Sequence, residues 1–486
     1  MFRKLKNILM ENQGIKHTVL KNTIWLFLGE IIGRFLKLFL VVYAARILGT
    51  RDWGVFSYVF SFAAIFSIFS DIGINSLVTR EIAKNKSDKL QYLSTLFIIK
   101  LLLIIISVTS LIIFTPYVSK IPEANNLIFI TALLLIFDSL REFGLSLNRA
   151  QEKMEWEAFV KILTNVSVSI IGLFCVFYFP SVKNLIYTYL IGSTLGCIAI
   201  FYILRKQLKD STRYFSKSLV KPIFNYAWPF AILTFIGTIM VNTDLLMLGW
   251  LKGPEDVGIY SVAQRLTQFL YIIPGLLSIA LFPSFSKLAA ENDKRFAGIF
   301  TKIIRLLLLF GFPLVIGGMI LSKEIVTLIF GNAYASAGTA FAVLLLMPLI
   351  NFPAIIMDNA ILAFNQQRRF LKYSLLAVIL NVFLNYLLIP RYSFNGSAVA
   401  TVISSALGTG LVFYSFIKVN NFNVPLRMGK IIFATTIMVI VALLLKYIAV
   451  SIFLTIAISM IMYIALLYIL KDHTLIEILP KNLLRE

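Results

Sequence analysis

The sequence predicts an all-α polytopic membrane protein, and three observations carry that prediction. Hydrophobic residues fill 59% of the 486 positions and charged residues only 14%, more apolar surface than a water-soluble chain of this length can cover. The apolar residues fall in runs near the length of roughly 20 that crosses a bilayer as a helix. Lysines and arginines collect in the short segments between those runs, where the positive-inside rule places them.

The runs give about fourteen spans, at approximately 20–45, 53–76, 92–115, 125–148, 158–180, 184–204, 224–250, 256–282, 303–321, 336–364, 373–389, 395–417, 430–448 and 451–470. The stretch 323–335, "KEIVTLIFGNAYA", is too short to span and too apolar for a plain loop, and it reads as an interfacial helix. With the N-terminus in the cytoplasm, inside tails, loops and adjoining span ends hold 32 of the 45 basic residues and those outside hold 8. That bias sets both termini inside. No cleavable signal peptide is expected, and the first span serves as the insertion signal.

The net charge of +22 does not point to nucleic acid, because the basic residues are scattered through membrane loops. Cys175 and Cys197 sit in apolar runs and behave as small hydrophobes. The only two histidines, His17 and His473, lie near the termini, so no metal site and no cofactor are expected.

The chain repeats itself. "GTRDWGVFS" from Gly49 resembles "GPEDVGIYS" from Gly253 at an offset of 204 residues, pairing Gly49 with Gly253 and Gly54 with Gly258. Each copy lies in the outside turn after the first span of a half, and the four glycines are expected to be structural turn or packing positions. The repeat predicts a first lobe at 1–210, a second at 211–425, and two extra helices with a cytoplasmic tail at 426–486. Parallel repeats of this kind form bundles related by an axis along the membrane normal. Pro229, Pro274, Pro313, Pro348 and Pro353 fall within spans of the second half, where proline kinks or breaks a helix.

Charges also occur inside the spans. Glu30, Arg34 and Lys37 share one face of span 1 through i, i+4 and i+3 spacing, and Asp138, Arg141 and Glu142 repeat the device in span 4. Asp71, Lys100, Asp244, Arg265 and Asp358 bring the number to eleven. Facing lipid, they would together cost about 30 kcal/mol on insertion scales, beyond the roughly 5–15 kcal/mol that stabilises a fold. They must face one another or a hydrated cavity. Lys100, near the end of span 3, is expected to snorkel. Arg34, Lys37, Arg141 and Arg265 are candidates for an anionic substrate. Glu30, Asp71, Asp138, Asp244 and Asp358 are candidates for Na+ or H+ coupling. The loops are short, and no GxxxxGK[ST] phosphate loop is present.

These features converge on a known family. "YAARILGTRDWGVFSYVFSFAAIFSIFSDIGINSLVTREIA" (43–83) resembles the first helical hairpin of Wzx-type polysaccharide flippases of the multidrug/oligosaccharidyl-lipid/polysaccharide (MOP) exporter superfamily. "VNTDLLMLGWLKGPEDVGIYSVAQRL" (241–266) resembles the matching hairpin of the second half, and "IFGNAYASA" and "LNYLLIPRYSFNGSAVATVISS" resemble later elements in order. The resemblance implies two six-helix lobes in a V around a cationic cavity, with Arg34 and Arg265 matching cavity arginines and Asp71 and Asp244 matching acidic positions. It implies movement of undecaprenyl-diphosphate-linked oligosaccharide to the outer leaflet of a bacterial inner membrane, as a monomer, alongside membrane lipid and a polysaccharide polymerase. Guanidinium suits diphosphate oxygens. Two rivals are a drug or cation exporter of the same superfamily and a membrane polymerase. The second calls for a large outside loop, so the chain is expected not to be an enzyme.

Overall fold

The computed structural model describes residues 14–84, 89–209, 213–291 and 293–478. Among these residues the regular structure is α-helix, with one 3-10 turn and no strand. The helices α1 (Gly14–Asp71), α2 (Ile74–Lys84), α3 (Lys89–Val118), α4 (Pro122–Ala150), α5 (Met154–Tyr178), α6 (Val182–Leu208) and α7 (Lys217–Leu251) come first. They are followed by α8 (Pro254–Phe269), α9 (Ile272–Ala290), α10 (Arg295–Ile320), α11 (Ser322–Phe330), α12 (Ala337–Leu344), α13 (Met347–Ala363), α14 (Gln367–Asn420), α15 (Gly429–Tyr447), α16 (Ile452–Ile469) and α17 (His473–Ile478).

By length and composition, 10 helices among the described residues can cross a membrane, or 11 if the bent pair α12 and α13 is one span. The fourteen expected segments do not appear as fourteen separate spans, for two physical reasons. α1 and α14 each run through two of the segments and contain one non-helical residue, Gly49 (φ 77°) and Ser393 (φ 49°). α4 carries Glu123, Asp138, Arg141, Glu142 and Arg149, too many charges for a plain apolar span.

Two expected spans contain an interruption. The stretch 256–282 lies in one membrane-length helical segment, Pro254–Ala290, interrupted between α8 and α9 at Leu270–Tyr271, and 336–364 divides into α12 and α13 at Leu345–Leu346 with a 41° bend. Pro274 and Pro348 account for both. Each lacks the N–H that would bond the carbonyl four residues back, and each is tolerated in a helix's first turn. The stretch read as an interfacial helix forms α11 and a 3-10 turn at Asn332–Tyr334.

Contacts divide the chain into Met1–Gly258 and Ile259–Glu486. In the first unit, α1 packs on α3, α4, α5 and α7, while α6 packs on α4 and α5. Phe143, Leu145, Leu147, Val160 and Ile200 are buried in its core. In the second unit, α13 packs on α9 and α10 around Phe285, Phe296, Phe300 and Phe352. α15 and α16 pack on one another and reach α10, where the Tyr463 hydroxyl donates to the Leu309 carbonyl at 2.7 Å. Arg305 and Asp472, both largely buried, pair at 2.6 Å.

The repeated turns meet inside the first unit. A Cβ on Gly54 would overlap the Pro254 carbonyl oxygen, and one on Gly258 would overlap that of Thr50. The contact is reciprocal: each added Cβ would also lie within about 3 Å of the other glycine's backbone nitrogen (2.9 and 3.1 Å). Gly49 and Gly253 turn the chain just before, at φ 77° and 132°, where a side chain is strained. Around the turn, Arg51 pairs with Glu123 at 2.8 Å, and the Thr50 hydroxyl donates to Glu255 at 3.4 Å.

Gly54→Val and Gly258→Val should therefore each reduce the amount of folded protein in the membrane, since overpacking costs about 1–3 kcal/mol. Gly410→Val, at a site with open space around it, should leave the yield near that of the parent. Quantitative blotting of membrane fractions measures both. Normal yield with lost transport in the Gly54 or Gly258 variants would assign these glycines to gating instead.

Candidate functional site

Charged side chains in the first unit assemble into one connected group. It starts at Asp71, the last residue of α1, whose Oδ1 accepts the Asn75 backbone N–H at 3.0 Å and the Lys100 ammonium at 3.4 Å. Lys100 is fully buried on α3, so it does not snorkel as expected. The Asp71 carboxylate lies within its reach, and Ser70, next to Asp71, accepts from Ser139, next to Asp138, which joins this pair to α4. A paired carboxylate satisfies a buried ammonium without a route to water.

The group continues on α4. Arg141 Nη2 lies 2.7 Å from Asp138 Oδ1 and 3.2 Å from Glu142 Oε1. Ser193 of α6 closes a small ring, donating to Asp138 at 3.0 Å and accepting from Arg141 Nη1 at 3.2 Å. Helical spacing i, i+3 and i, i+1 brings the α4 charges together, but the space for the guanidinium comes from α6. A Cβ on Gly196 would sit 2.9 Å from Arg141 Cδ and would overlap Thr164 Oγ1. Ser139 donates to Ser70 at 2.9 Å, tying α4 to α1 beside the same group.

About two turns further along α4, Arg149 takes over. Its Nη2 lies 3.5 Å from Glu142, and its Nε donates to both Glu157 oxygens at 3.0 and 2.9 Å. Glu157, buried in the first turn of α5, also pairs with Lys161 at 3.0 Å. Asp71, Asp138, Glu142 and Glu157 thus stand against Lys100, Arg141, Arg149 and Lys161, and their formal charges cancel. The carboxylates on α4 and α5 bridge basic residues along roughly 16 Å of α4, at 1.5 Å per residue. Such a chain offers adjacent, exchangeable partners to a cation or proton and holds α1, α3, α4, α5 and α6 in register.

The other expected site residues are distributed as follows. Glu30 and Arg34 lie on α1, but their side chains fall outside the described residues. Lys37 is exposed on α1. Asp244 is fully buried on α7, and Arg265 is half-buried on α8. Asp358 is exposed on α13 and has no ion-pair partner among the described residues. Arg141, expected among the substrate-binding residues, is held by Asp138, Glu142 and Ser193. Arg149, Glu157 and Lys161 were not expected at the site. Glu157 and Lys161 have the i, i+4 spacing of a helical ion pair, the one sequence signal that points to them.

Comparison with known proteins decides the family. The model of the polysaccharide biosynthesis protein family matches residues 19–289. The chain belongs to that family. A second model, MatE, matches residues 229–387 of this polysaccharide biosynthesis family member. Over 393 residues it is 24% identical to the probable low-salt glycan biosynthesis flippase Agl15 of Haloferax volcanii, covering 80% of this chain and 82% of that protein. It is 23% identical to the putative O-antigen transporter of Shigella flexneri, covering 79% and 94%. Among solved structures, the inward closed conformation of the lipid II flippase MurJ matches with a TM-score of 0.74 at 18% identity, over 95% of this chain and 100% of that one. This likeness establishes the fold, and with the family it places the protein in the MOP superfamily.

If the paired charges hold the helices together, Asp71→Asn should destabilise the protein by about 3–5 kcal/mol, the usual penalty for stranding one buried partner, because the Lys100 ammonium is then buried without its carboxylate. Lys100→Met with Asp71→Asn should recover much of that loss, because neither group then stays charged and alone. Thermal melting of the detergent-purified variants reads both. A double variant no more stable than Asp71→Asn would remove the pair as the cause.

Proposed function

We propose that this protein is a flippase that moves an oligosaccharide linked to undecaprenyl diphosphate from the cytoplasmic to the outer leaflet of a bacterial inner membrane by alternating access. The observation that carries this reading is the family match over 19–289. Two relatives with flippase or O-antigen transporter in their names, each matched over about four-fifths of this chain, support it. Arg34, Lys37 and Arg265 are the cations assigned to the diphosphate, since guanidinium and ammonium groups compensate its charge in a low-dielectric interior. Arg141 joins them only by exchanging its present partners.

Glu30, Asp71, Asp138, Asp244 and Asp358 are assigned to Na+ or H+ coupling. Asp358 has no ion-pair partner among the described residues, which leaves its carboxylate without a competing cation. Both termini and the linker 205–221 are cytoplasmic in this reading, as the distribution of basic residues favours. The working lobes are 1–210 and 211–425, with 426–486 appended. The protein is a transporter rather than an enzyme, acts as a monomer, and hands its product to a polysaccharide polymerase. The MatE match to 229–387 supports a rival reading as a drug or cation exporter.

Deleting the gene separates the two readings. A flippase deletion should remove one surface glycan while its lipid-linked unit accumulates inside, and an exporter deletion should leave the glycan intact and raise drug sensitivity. Complementation with Arg34→Ala or Arg265→Ala should fail at near-normal protein levels, and Lys at either position should restore export only partly, because a lysine lacks the planar fork. Full export by Arg265→Ala, or by Glu30→Gln combined with Arg34→Gln, would remove these arginines from the diphosphate site.

A further inference from the structure

A separate cavity lies where α5 begins and α6 ends, at one end of two helices that pack on each other. Its volume is about 520 Å³, and Lys153, Arg205 and Lys206 line it with no carboxylate in its wall. None of the three pairs with an acid among the described residues. Arg205 instead lies 4.0 Å from the ring centroid of Tyr202 and donates to that residue's carbonyl at 3.1 Å. Trp156 and Tyr202 are exposed in the wall. Three uncompensated cations beside amphipathic aromatic rings make a surface suited to the phosphate level of a bilayer.

The wall includes a polar group that lacks a partner. Asn148 is fully buried there, and both its Nδ2 and its Oδ1 lack a hydrogen-bond partner among the described residues. A buried, unsatisfied amide is costly, and the ligand that relieves it must carry an acceptor and a donor together. A phosphate oxygen accepts from Nδ2, and a neighbouring hydroxyl donates to Oδ1; an ammonium would donate there as well, but three cations with no carboxylate in the wall disfavour a cationic headgroup. The Gln151 and Gln207 side-chain amides bond to each other beside the cavity, joining the turn after α4 to α6.

We propose that this cavity binds a hydroxyl-bearing phosphodiester headgroup, the chemistry of a phosphoglycerol lipid. The phosphate sits among Lys153, Arg205 and Lys206, and the headgroup hydroxyl and phosphate together satisfy Asn148. The site uses none of the residues assigned to the transported substrate, so it stands independently of the flippase reading.

Native mass spectrometry of the full-length protein, delipidated in detergent and titrated with palmitoyl-oleoyl phosphatidylglycerol or phosphatidylethanolamine, tests it. One phosphatidylglycerol should be retained in preference to phosphatidylethanolamine. Lys153→Ala and Lys206→Ala should each weaken retention about fivefold, the strength of one basic residue at an anionic surface. Asn148→Leu, which removes the amide donor and acceptor at similar volume, should weaken retention of phosphatidylglycerol while its preference over phosphatidylethanolamine persists, since the three cations remain. Equal retention of the two lipids, or unchanged retention in the combined lysine variant, would overturn the proposal. Glycerol 3-phosphate is the probe for a soluble source: failure to displace the lipid supports the headgroup assignment, and displacement at equal concentration rejects the lipid as the ligand.

Discussion

An ionised side chain among apolar helices must be met by an opposite charge or a strong hydrogen bond, and this requirement organises the first half of the protein. Arg141 shows how. Its guanidinium meets Asp138 at 2.7 Å and Glu142 at 3.2 Å on its own helix, and Ser193 from α6 bonds both Arg141 and Asp138. α6 approaches that closely because Gly196 leaves room for the arginine. The same requirement brings Lys100 to Asp71 and Arg149 to Glu157, so five helices are tied by contacts that fail if any one helix shifts by a turn. Hydrophobic contact gives little directional preference inside a bilayer, where lipid tails are as apolar as leucine. Paired charges supply it.

A second constraint acts through backbone. Gly54 and Gly258 come from the two copies of the repeat, and each leaves room for the carbonyl four residues before the other. The related positions Gly49 and Gly253 both turn at positive φ. One local solution, used twice at an offset of 204 residues, produces two matching turns that pack against each other. Charge pairing and glycine contact therefore fix different things: the first sets helix order within the bundle, and the second sets the closest approach of the repeated turns.

Helix identity and much of the charge pattern were legible in the sequence, because hydropathy and i, i+3, i+4 spacing are local. Asp138, Arg141 and Glu142 could be read as one face for that reason. Lys100 was misread because a position near a helix end suggests snorkelling, whereas its burial depends on Asp71, 29 residues away. Arg149 and Glu157 pair across the turn between α4 and α5, so no single-helix period contains them. The breaks before Pro274 and Pro348 were visible as prolines. Whether a proline kinks a helix or starts a new one depends on the packing on either side, which composition does not encode. Asn148 and the cavity beside it left no sequence signal, since an unsatisfied amide is defined by what surrounds it.

Family and fold place this chain among transporters of the MOP superfamily, and its proposed cargo couples a diphosphate to sugars on a polyprenyl tail. The most direct measurement uses proteoliposomes carrying the purified protein and undecaprenyl-diphosphate-linked oligosaccharide placed in one leaflet. Accessibility of the sugar to an impermeant lectin added outside reports its crossing. Protein-dependent change in lectin access, absent from empty liposomes and from vesicles that hold heat-inactivated protein, is the expected result. Unchanged access, together with protein-dependent movement of a cationic dye in the same vesicles, would contradict the flippase assignment and favour an exporter of organic cations.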